Sequence, residues 1–346
     1  MEQNADAIAK AIDGSLKIIE QDRERQIIEK RFGLDGRKET LEQIGETLSV
    51  TRERVRQLEK VILVRLRVSA KENGIPELAP AEKIIIRNLA ELGRVAKVST
   101  LADKVYGHKS TNAEKSALVF LGDISPALTI VSENDKYNSA LAIADAGDEK
   151  QIRKKVDEIV SIIKANKSPM TLEELDEKLS YEHPSQISAI ASVSKLLSTL
   201  NGLWGLSKWP TVNPKNIRDK IYVILKNKNE PMHFNDIATA ISESNFKRKN
   251  VTTQAIHNEL IKDPRFVLIG RGIYALDSWG YKKGTVSDII KNILEKAGKP
   301  LSREEIVAEV LKSRKVKETT ILLNLQNKKY FKRIDKNSYI INEDKE

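Results

Sequence analysis

Residues 40–67, TLEQIGETLSVTRERVRQLEKVILVRLR, contain two amphipathic helix patterns with only a short turn between them. Thr40 and Gln43 have the spacing of a capping box, which marks the start of the first helix. Ser49 and Val50 form the predicted turn. Two helices joined so closely must pack against each other, so this segment predicts a helix-turn-helix.

The second helix of this pair has an apolar face and a polar face. Thr51 is its predicted N-cap, and its apolar face repeats at i, i+3 and i+7 through Val55, Leu58 and Ile62. The opposite face carries four polar side chains: Arg52, Glu53, Arg56 and Gln57. Arg and Gln can bind base edges through two hydrogen bonds, and Glu can accept one from cytosine. This face is therefore the candidate DNA-reading surface.

An ordinary core helix with a solvated charged face is the alternative interpretation of the second helix. The preceding helix, the short turn and the residue order together favour DNA reading over that alternative. Gly45 lies inside the first helix, where a glycine costs about 1 kcal/mol relative to alanine. We expect another helix to cross closely at Gly45.

The net charge of the chain is concentrated in two places. All 346 residues sum to +10, and residues 211–346 account for the whole of it, with 27 Lys and Arg against 17 Asp and Glu. Within the neutral remainder, residues 51–67 hold six basic and two acidic side chains. Such basic segments indicate an anionic partner, and they mark the second helix and the C-terminal third for phosphate contact.

Several classes of protein are disfavoured by what the sequence lacks. There is no cysteine, which excludes disulfides and thiolate metal sites and fits a reducing compartment. No apolar run reaches the length of a membrane span, and residues 1–10 lack the pattern of a signal peptide. We therefore expect a cytoplasmic protein that does not contact membranes.

No pattern for catalysis, cofactor binding or metal binding is present. The four histidines lie in separate stretches and are predicted to be structural: His108, His183, His233 and His257. The adjacent acids Glu304 and Glu305 follow a helix start, where they complement the helix dipole. Walker and glycine-rich nucleotide motifs are missing. We therefore expect the protein to have no enzymatic activity and to bind no cofactor, metal or small-molecule substrate.

The rest of the chain is built from repeats. Pro169, Pro231 and Pro300 open equivalent segments, SPMTLEELDEKL, EPMHFNDIATAI and KPLSREEIVAEV. An amphipathic helix precedes each segment, and a further helix and an apolar hairpin pattern follow it. The three hairpins hold an aromatic residue at equivalent places: Trp204, Tyr274 and Tyr339. Three helices followed by a hairpin are the elements of a winged helix.

Residues 81–143 look like a degenerate first copy of this repeat. A helical-hairpin solenoid is the alternative, and the repeated glycine-aromatic strand patterns argue against it. The predicted fold class is mainly α, with an N-terminal helix-turn-helix domain followed by tandem winged-helix (α+β) units. We number the predicted domains modules one to five: residues 1–75, 76–147, 148–212, 213–281 and 282–346.

Residues 31–60, RFGLDGRKETLEQIGETLSVTRERVRQLEK, resemble region 4 of a bacterial primary sigma factor. The RFGLDG, LEQIG and TRERVRQLE runs and the LxRLR ending carry the resemblance, which covers roughly residues 15–68. In that family the domain reads the minus-35 promoter element in the major groove and docks on the flap of the polymerase β subunit. The resemblance thus implies two partners, double-stranded DNA and the bacterial RNA polymerase core.

The resemblance also implies roles by position. Base reading falls to Arg52, Glu53, Arg56 and Gln57. Positions nearer the phosphates are Thr51, Arg54 and Lys60. The amphipathic helix preceding the domain, SLKIIEQDRERQIIEKRF at 15–32, would be the flap-facing surface.

Two features depart from the pattern of that family. Val61 and Val64 stand where basic or small residues are usual, which predicts that the end of this helix packs on the next module. No segment resembles sigma region 2, and no aromatic-rich stretch is available to trap melted promoter bases. We therefore expect that the chain does not open a promoter alone.

The repeats show a second resemblance. Residues 214–280 resemble the HARE-HTH domain of the delta subunit of bacterial RNA polymerase, through PMHFNDIATAI and FVLIGRGIYALDSWG, and residues 285–342 resemble a related winged helix. A possible second DNA contact consists of Thr319, Thr320, Asn324, Lys328, Lys329, Lys332 and Arg333. A solvated basic surface explains these residues equally well, so both interpretations stay open.

The sequence leaves two functional hypotheses. The first is a sigma-like transcription factor that reads promoter DNA through residues 51–60 and contacts RNA polymerase. The second is a delta-like adaptor associated with RNA polymerase, whose winged modules bind protein instead of DNA. Enrichment of a DNA motif in the absence of polymerase distinguishes the two.

Overall fold

The computed structural model describes residues 2–179, 184–281, 283–335 and 337–342. His183, which was predicted to be structural, lies outside these residues. The chain divides into two compact units, residues 1–208 and 209–346, and each is described by itself.

The first part of unit one is helical throughout. It consists of α1 (Glu2–Lys17), α2 (Asp22–Phe32), α3 (Leu41–Leu48) and α4 (Arg52–Lys71). Ile27, Ile44 and Val55 form a small buried core in which one residue comes from each of α2, α3 and α4. This arrangement confirms the predicted helix-turn-helix.

A second, larger core joins module one to module two. The C-terminal half of α4 contributes Ile62, Leu63, Leu66 and Ala70 to this core. Helix α1 enters it through Ile8, and the helices of module two complete it. The predicted boundary at residue 75 therefore runs through continuous apolar packing, so α4 belongs to both modules.

Module two has three helices and three short strands. Its elements are α5 (Leu78–Glu91), β1 (Val95–Lys97), α6 (Val98–Tyr106), α7 (Asn112–Ile124), β2 (Leu128–Val131) and β3 (Ala140–Ile143). Strand β3 lies between β1 and β2 and is antiparallel to both. Strands β2 and β3 thus form the hairpin of this module.

Module three packs on module two within unit one. It consists of α8 (Glu149–Asn166), α9 (Leu172–Asp176), α10 (Pro184–Val193), β4 (Leu197–Leu200) and β5 (Leu203–Leu206). The backbone N–H of Asn138, in the β2–β3 loop, donates to the carbonyl of Val193 at 2.8 Å. This bond and the neighbouring bridge between Tyr137 and Ser194 join the two modules.

Unit two contains two further copies of the same element order. Module four consists of α11 (Ile217–Lys228), β6 (Met232–His233), α12 (Phe234–Glu243), α13 (Thr253–Lys262), β7 (Phe266–Gly270) and β8 (Ile273–Leu276). Module five consists of α14 (Val286–Ala297), β9 (Leu301–Ser302), α15 (Arg303–Ser313), α16 (Glu318–Leu325), β10 (Phe331–Arg333) and β11 (Ser338–Ile341).

The repeated proline segments have a common structural role. The residue after each proline pairs with the aromatic residue of the second hairpin strand: Met170 with Trp204, Met232 with Tyr274, and Leu301 with Tyr339. The apolar residues that follow each proline by six and ten positions are buried: Leu175, Leu179, Ile237, Ile241, Ile306 and Val310. The three repeats recognised in the sequence thus have equivalent packing. The described residues are mostly helical with small sheets, while assignment of these units as winged helices stays a prediction.

Candidate nucleic-acid interface

Capping hydrogen bonds fix the start of α3 and the start of α4 on the other side of the turn. The Thr40 hydroxyl accepts from the backbone N–H of Gln43, and the Gln43 side chain accepts from the N–H of Thr40. Helix α3 ends at Ser49, whose φ of 53° places it in the left-handed region. The Thr51 hydroxyl then accepts from the N–H of Arg54 and starts α4. Both predicted caps are confirmed.

Gly45 is required by the turn itself. A Cβ at this position would lie 2.6 Å from the carbonyl oxygen of Val50 and 3.5 Å from the backbone nitrogen of Arg52. The close neighbour is therefore the backbone of the turn and the first residue of α4. The expected close crossing of another helix is therefore not what constrains Gly45, because the turn supplies the tight contact and α4 lies at an ordinary contact distance.

The N-terminal half of α4 presents its polar side chains to solvent. All seven predicted contact residues are exposed: Thr51, Arg52, Glu53, Arg54, Arg56, Gln57 and Lys60. Val55, on the opposite side of the helix, is fully buried in the small core. The helix therefore offers Arg, Glu and Gln groups on an open surface, at a spacing that suits base edges in a major groove.

Ion pairs order this surface in the free protein. Two guanidinium nitrogens of Arg56 donate to the two carboxylate oxygens of Glu53, at 2.7 and 2.9 Å. These hydrogen bonds lower the pKa of Glu53 and raise that of Arg56. Arg52 lies 3.8 Å from Glu42 on α3. Each pair is solvent-exposed and therefore contributes little to stability. Replacing such a pair by contacts with a ligand costs little free energy.

Arg54 and Lys60 differ from these paired residues. Both are exposed, and neither forms an ion pair within the described part of the chain. An unpaired ammonium or guanidinium group can turn toward a phosphate without breaking an existing contact. The phosphate-side position that the resemblance implied for them stays a prediction.

The predicted helix over residues 15–32 is wrong as a single element. The chain turns after Lys17, and α2 starts at Asp22. The guanidinium group of Arg25 donates to the carbonyls of Leu16 and Ile19, at 3.3 and 2.9 Å, which stabilises the turn. The predicted flap-facing surface is thus shared by two helices.

The C-terminal half of α4 also differs from the prediction at two residues. Val61 and Val64 do not pack on module two; their exposed fractions are 55% and 49%, and Val68 is similarly exposed. The helix does pack on module two, but it does so through the neighbouring face that carries Ile62 and Leu66. Because Val61, Val64 and Val68 recur at i, i+3 and i+7, they form an exposed apolar stripe.

The second predicted contact set is spread over three elements of module five. Thr319 and Thr320 are exposed on α16, Lys328 and Lys329 are exposed in the turn that follows, and Lys332 and Arg333 are exposed on β10. Successive side chains of a strand point to opposite faces of the sheet. Lys332 and Arg333 are therefore not expected to face one ligand together.

Asn324 already makes two side-chain hydrogen bonds within module five. Its Oδ1 accepts from the Ser287 hydroxyl at 2.7 Å, and its Nδ2 donates to the carbonyl of Thr320 at 2.7 Å. The bond with Ser287 ties α16 to α14, and the bond to Thr320 lies within α16. A DNA contact by Asn324 would require them to break, so the structure gives this residue a local packing role.

The histidines and the capping acids have structural contacts. His233 Nδ1 accepts from the N–H of Asn235 at the start of α12, and the His257 ring packs against Phe234 and Tyr274. The Nε2 of His108 lies 3.3 Å from a carboxylate oxygen of Glu114. Glu305 completes a capping box with Ser302. No group of three metal-ligating side chains occurs among the residues that the structure describes.

None of the helices in the described ranges is both long and apolar enough to cross a membrane.

Comparison with known proteins identifies the first part of the chain. Residues 21–68 match sigma-70, region 4. A segment of 57 residues is 47% identical to RNA polymerase sigma factor SigA4 of Synechococcus elongatus, covering 16% of this chain and 18% of that protein. A segment of 61 residues is 43% identical to RNA polymerase sigma factor sigB of Arabidopsis thaliana, covering 17% and 11% respectively. The chain thus spans less than a fifth of the length of these relatives.

These matches confirm the resemblance of module one to sigma region 4. The region 4 match includes α2, α3 and most of α4, and so contains the whole candidate DNA-reading surface. The likeness of module four to the HARE-HTH domain stays a prediction.

Proposed function

We propose that the protein is a sigma-like transcription factor without enzymatic activity that acts in the cytoplasm and binds promoter DNA through the N-terminal half of α4. The observation that carries this proposal is the open polar face of α4 in a region 4 domain. Arg52, Glu53, Arg56 and Gln57 read base edges, while Thr51, Arg54 and Lys60 contact the backbone.

The ion pair between Arg56 and Glu53 adds a specific feature to this proposal. Both residues are proposed to contact bases, and in the free protein their side chains are hydrogen-bonded to each other. On binding, Arg56 can donate its two hydrogen bonds to a guanine edge, and Glu53 can accept from a cytosine amino group. One exposed pair is thereby replaced by two base contacts.

The proposed polymerase contact uses the surface formed by α1 and α2. The relatives that match module one are RNA polymerase sigma factors, so the polymerase core is the proposed protein partner. In module five, Thr319, Thr320, Lys328 and Lys329 are proposed to add backbone contacts.

The adaptor function remains as a second candidate because of exposed apolar side chains. Leu323, Tyr330 and Ile334 of module five are exposed, Leu323 to 67%. They lie beside the basic residues of the second contact set. Large apolar groups at such a surface favour a protein partner over DNA.

Selection of bound sequences from random duplex DNA, with and without core polymerase, tests both functions. A motif enriched by the chain alone, and lost on Arg56→Ala, supports the sigma-like function. Capture of polymerase with no enriched motif in either condition would leave the adaptor function and end the proposal that α4 reads DNA.

A further inference from the structure

The segment between α12 and α13 of module four carries three adjacent cations. Lys247, Arg248 and Lys249 are all exposed. None of them forms an ion pair within the described ranges. We call residues 247–249 the basic loop. No residue of this loop appeared in either predicted contact set.

The backbone of the basic loop is held from beneath by a buried lysine. Lys220 lies on α11 with only 4% of its surface exposed. Its Nζ donates to the carbonyl oxygen of Arg248 at 2.6 Å. Arg248 has a φ of 54°, a left-handed conformation that requires support from its surroundings.

Two further contacts fix the entry to the basic loop. Phe246 is buried against the module, and its backbone N–H donates to the Ser244 hydroxyl at 3.3 Å. That hydroxyl donates in turn to the carbonyl of Ile241 at 2.6 Å. The loop backbone is thus ordered from both sides, while its three cationic side chains are exposed. The Nζ of Lys249 also donates a long hydrogen bond to the carbonyl of Ser244, at 3.4 Å.

This arrangement is electrostatically unfavourable for an isolated protein. Burial lowers the pKa of Lys220, and the positive charge of Arg248 lowers it further. Four cations therefore lie together without a carboxylate partner for any of them within the described chain. Such a concentration of positive charge is relieved when an anion binds.

In chain order, the basic loop stands between two helices as the turn of module one does. Helix α12, the segment 244–252 and helix α13 follow one another as α3, its turn and α4 do. Thr252 caps α13, whose first turn contains no acid, and Thr253 and Gln254 are exposed there. A ligand that lies along α13 would therefore meet the basic loop at its N-terminal end.

We propose that the basic loop binds the backbone phosphates of duplex DNA, with Lys220 as the residue that positions it. The side chains of the loop are cations with no exposed aromatic ring between them, since Phe246 is buried, so stacking on single-stranded bases is disfavoured. The loop also lacks the exposed apolar side chains that a protein interface would bury. The inference rests on the proposed function in one respect, namely that duplex DNA is the ligand of the chain.

The experiment compares two triple variants of the full chain. The first removes the basic loop charges (Lys247→Ala/Arg248→Ala/Lys249→Ala). The second is a charge-matched control on exposed lysines elsewhere in unit two (Lys226→Ala/Lys228→Ala/Lys299→Ala). Binding to a 30-base-pair duplex of random sequence is measured by fluorescence anisotropy between about 50 and 300 mM salt, since each neutralised phosphate contributes roughly 0.9 to the slope of log affinity against log salt.

We expect the loop variant to lose between one and three units of that slope, and the control to lose less than half a unit. Equal slopes for the two variants would overturn the proposal. Loss of binding to polyglutamate, with unchanged binding to duplex DNA, would also overturn it and would point to an acidic protein ligand.

Lys220→Met tests the positioning role. Methionine fills a similar volume and cannot donate to the carbonyl of Arg248, so we expect part of the slope to be lost while the melting temperature stays near that of the wild type. Lys220→Arg should restore the slope. A slope identical to that of the wild type in Lys220→Met would remove Lys220 from the proposal.

Failure of this inference differs from failure of the proposed function. The loop variant should keep the ratio of affinities for selected and scrambled duplexes, because that ratio is assigned to α4. If the wild type shows no such ratio but the loop variant still loses its slope, the α4 proposal fails and the basic-loop proposal stands.

Discussion

Modules one and five both present polar and basic side chains, yet the structure treats the two sets differently. In module one, seven residues within a ten-residue stretch are all exposed along the start of one helix. In module five, the candidates are divided among α16, a turn and β10, and Asn324 is engaged in internal hydrogen bonds. A contact surface is defined by a shared direction of its side chains, and a cluster of residue types in the sequence does not ensure it.

The largest expected difference between the two modules comes from their cores. Ile44 is fully buried in the small core of module one, and Ile321 is fully buried in module five. Either residue changed to alanine should cost about 2–5 kcal/mol of stability, because a cavity replaces buried methyl groups. We expect Ile44→Ala to abolish selective DNA binding and Ile321→Ala to leave it in place, as measured by gel shift with selected and scrambled duplexes. Selective binding that survives Ile44→Ala, or disappears only in Ile321→Ala, would reverse the assignment.

Gly45→Ala tests the turn that aims α4. Alanine would normally stabilise a helix interior by about 1 kcal/mol. Here its Cβ would lie 2.6 Å from a backbone oxygen, so we expect a net destabilisation of about 1–3 kcal/mol, typical of overpacking. Urea unfolding monitored by circular dichroism measures the sign. Gly14→Ala is a suitable comparison, since the close neighbour of Gly14 is the side chain of Glu77, which can move. A stabilised Gly45→Ala protein would show that the turn is not tightly constrained.

Arg56→Ala addresses base reading directly. Loss of one bidentate contact should cost about 1–3 kcal/mol for the selected duplex and much less for a scrambled one. Lys71→Ala, at the exposed C-terminal end of α4, provides a comparison outside the reading face. Equal losses on both duplexes would assign Arg56 to the phosphates and would make module one resemble module five.

Single lysines should have smaller, sequence-independent effects. Lys60→Ala should reduce the salt slope of binding by roughly 0.9, the value for one phosphate contact. The double variant Lys328→Ala/Lys329→Ala should reduce it by up to twice as much if module five contacts the backbone. Titrations of selected and scrambled duplexes at several salt concentrations measure both. No change of slope in the double variant would leave module five without a DNA role.

Acid should separate the two modules by their helix caps. Backbone N–H groups of Thr285 and Ser302 bind the carboxylates of Asp288 and Glu305, which lowers the pKa of each acid below its ordinary value of 3.8 or 4.5. A lowered pKa means that the contribution to stability is present above the ordinary value and is lost as the pH falls through the folded value. The cap of α3 uses the amide of Gln43, which does not titrate in this range.

We therefore expect amide hydrogen exchange at the starts of α14 and α15 to accelerate as the pH falls below about 4.5, after correction for the intrinsic exchange rate. The start of α3 should show no such acceleration from its cap. Glu305→Gln keeps the capping geometry and should remove the pH dependence at α15. Parallel acceleration at α3 and α15 would mean that global unfolding, rather than the caps, sets the response.

The local features of the fold could be predicted because they depend on neighbours in the sequence. The caps at Thr40 and Thr51, the buried face through Val55 and the repeated proline segments all follow from short-range spacing. Region 4 could be recognised for the same reason, since its motifs lie within one continuous stretch. The equivalence of Trp204, Tyr274 and Tyr339 likewise required only the repeat.

The features that sequence reasoning missed depend on distant contacts. Val61 and Val64 are exposed because α4 packs on module two through a different face, which carries Ile62 and Leu66. Helical periodicity alone does not determine which apolar face of a helix contacts another module. The break after Lys17 depends on Arg25 binding two carbonyls across the turn. The buried Lys220 under the basic loop gave no signal in the sequence, because its partner is a backbone oxygen 28 residues away.

Helix α4 is one continuous helix of 20 residues. Its N-terminal half carries the candidate DNA-reading surface, and its C-terminal half contributes to the larger core. The helix is unbroken between its N-terminal end, which is proposed to enter a DNA groove, and its C-terminal end, which packs against α1 and module two. Modules two and three are in turn joined by backbone bonds. If the N-terminal end of α4 binds in a DNA groove, the orientation of modules two and three around the duplex axis is fixed by this helix. A molecule bound to these modules would then lie at a defined angle and distance from the contacted bases.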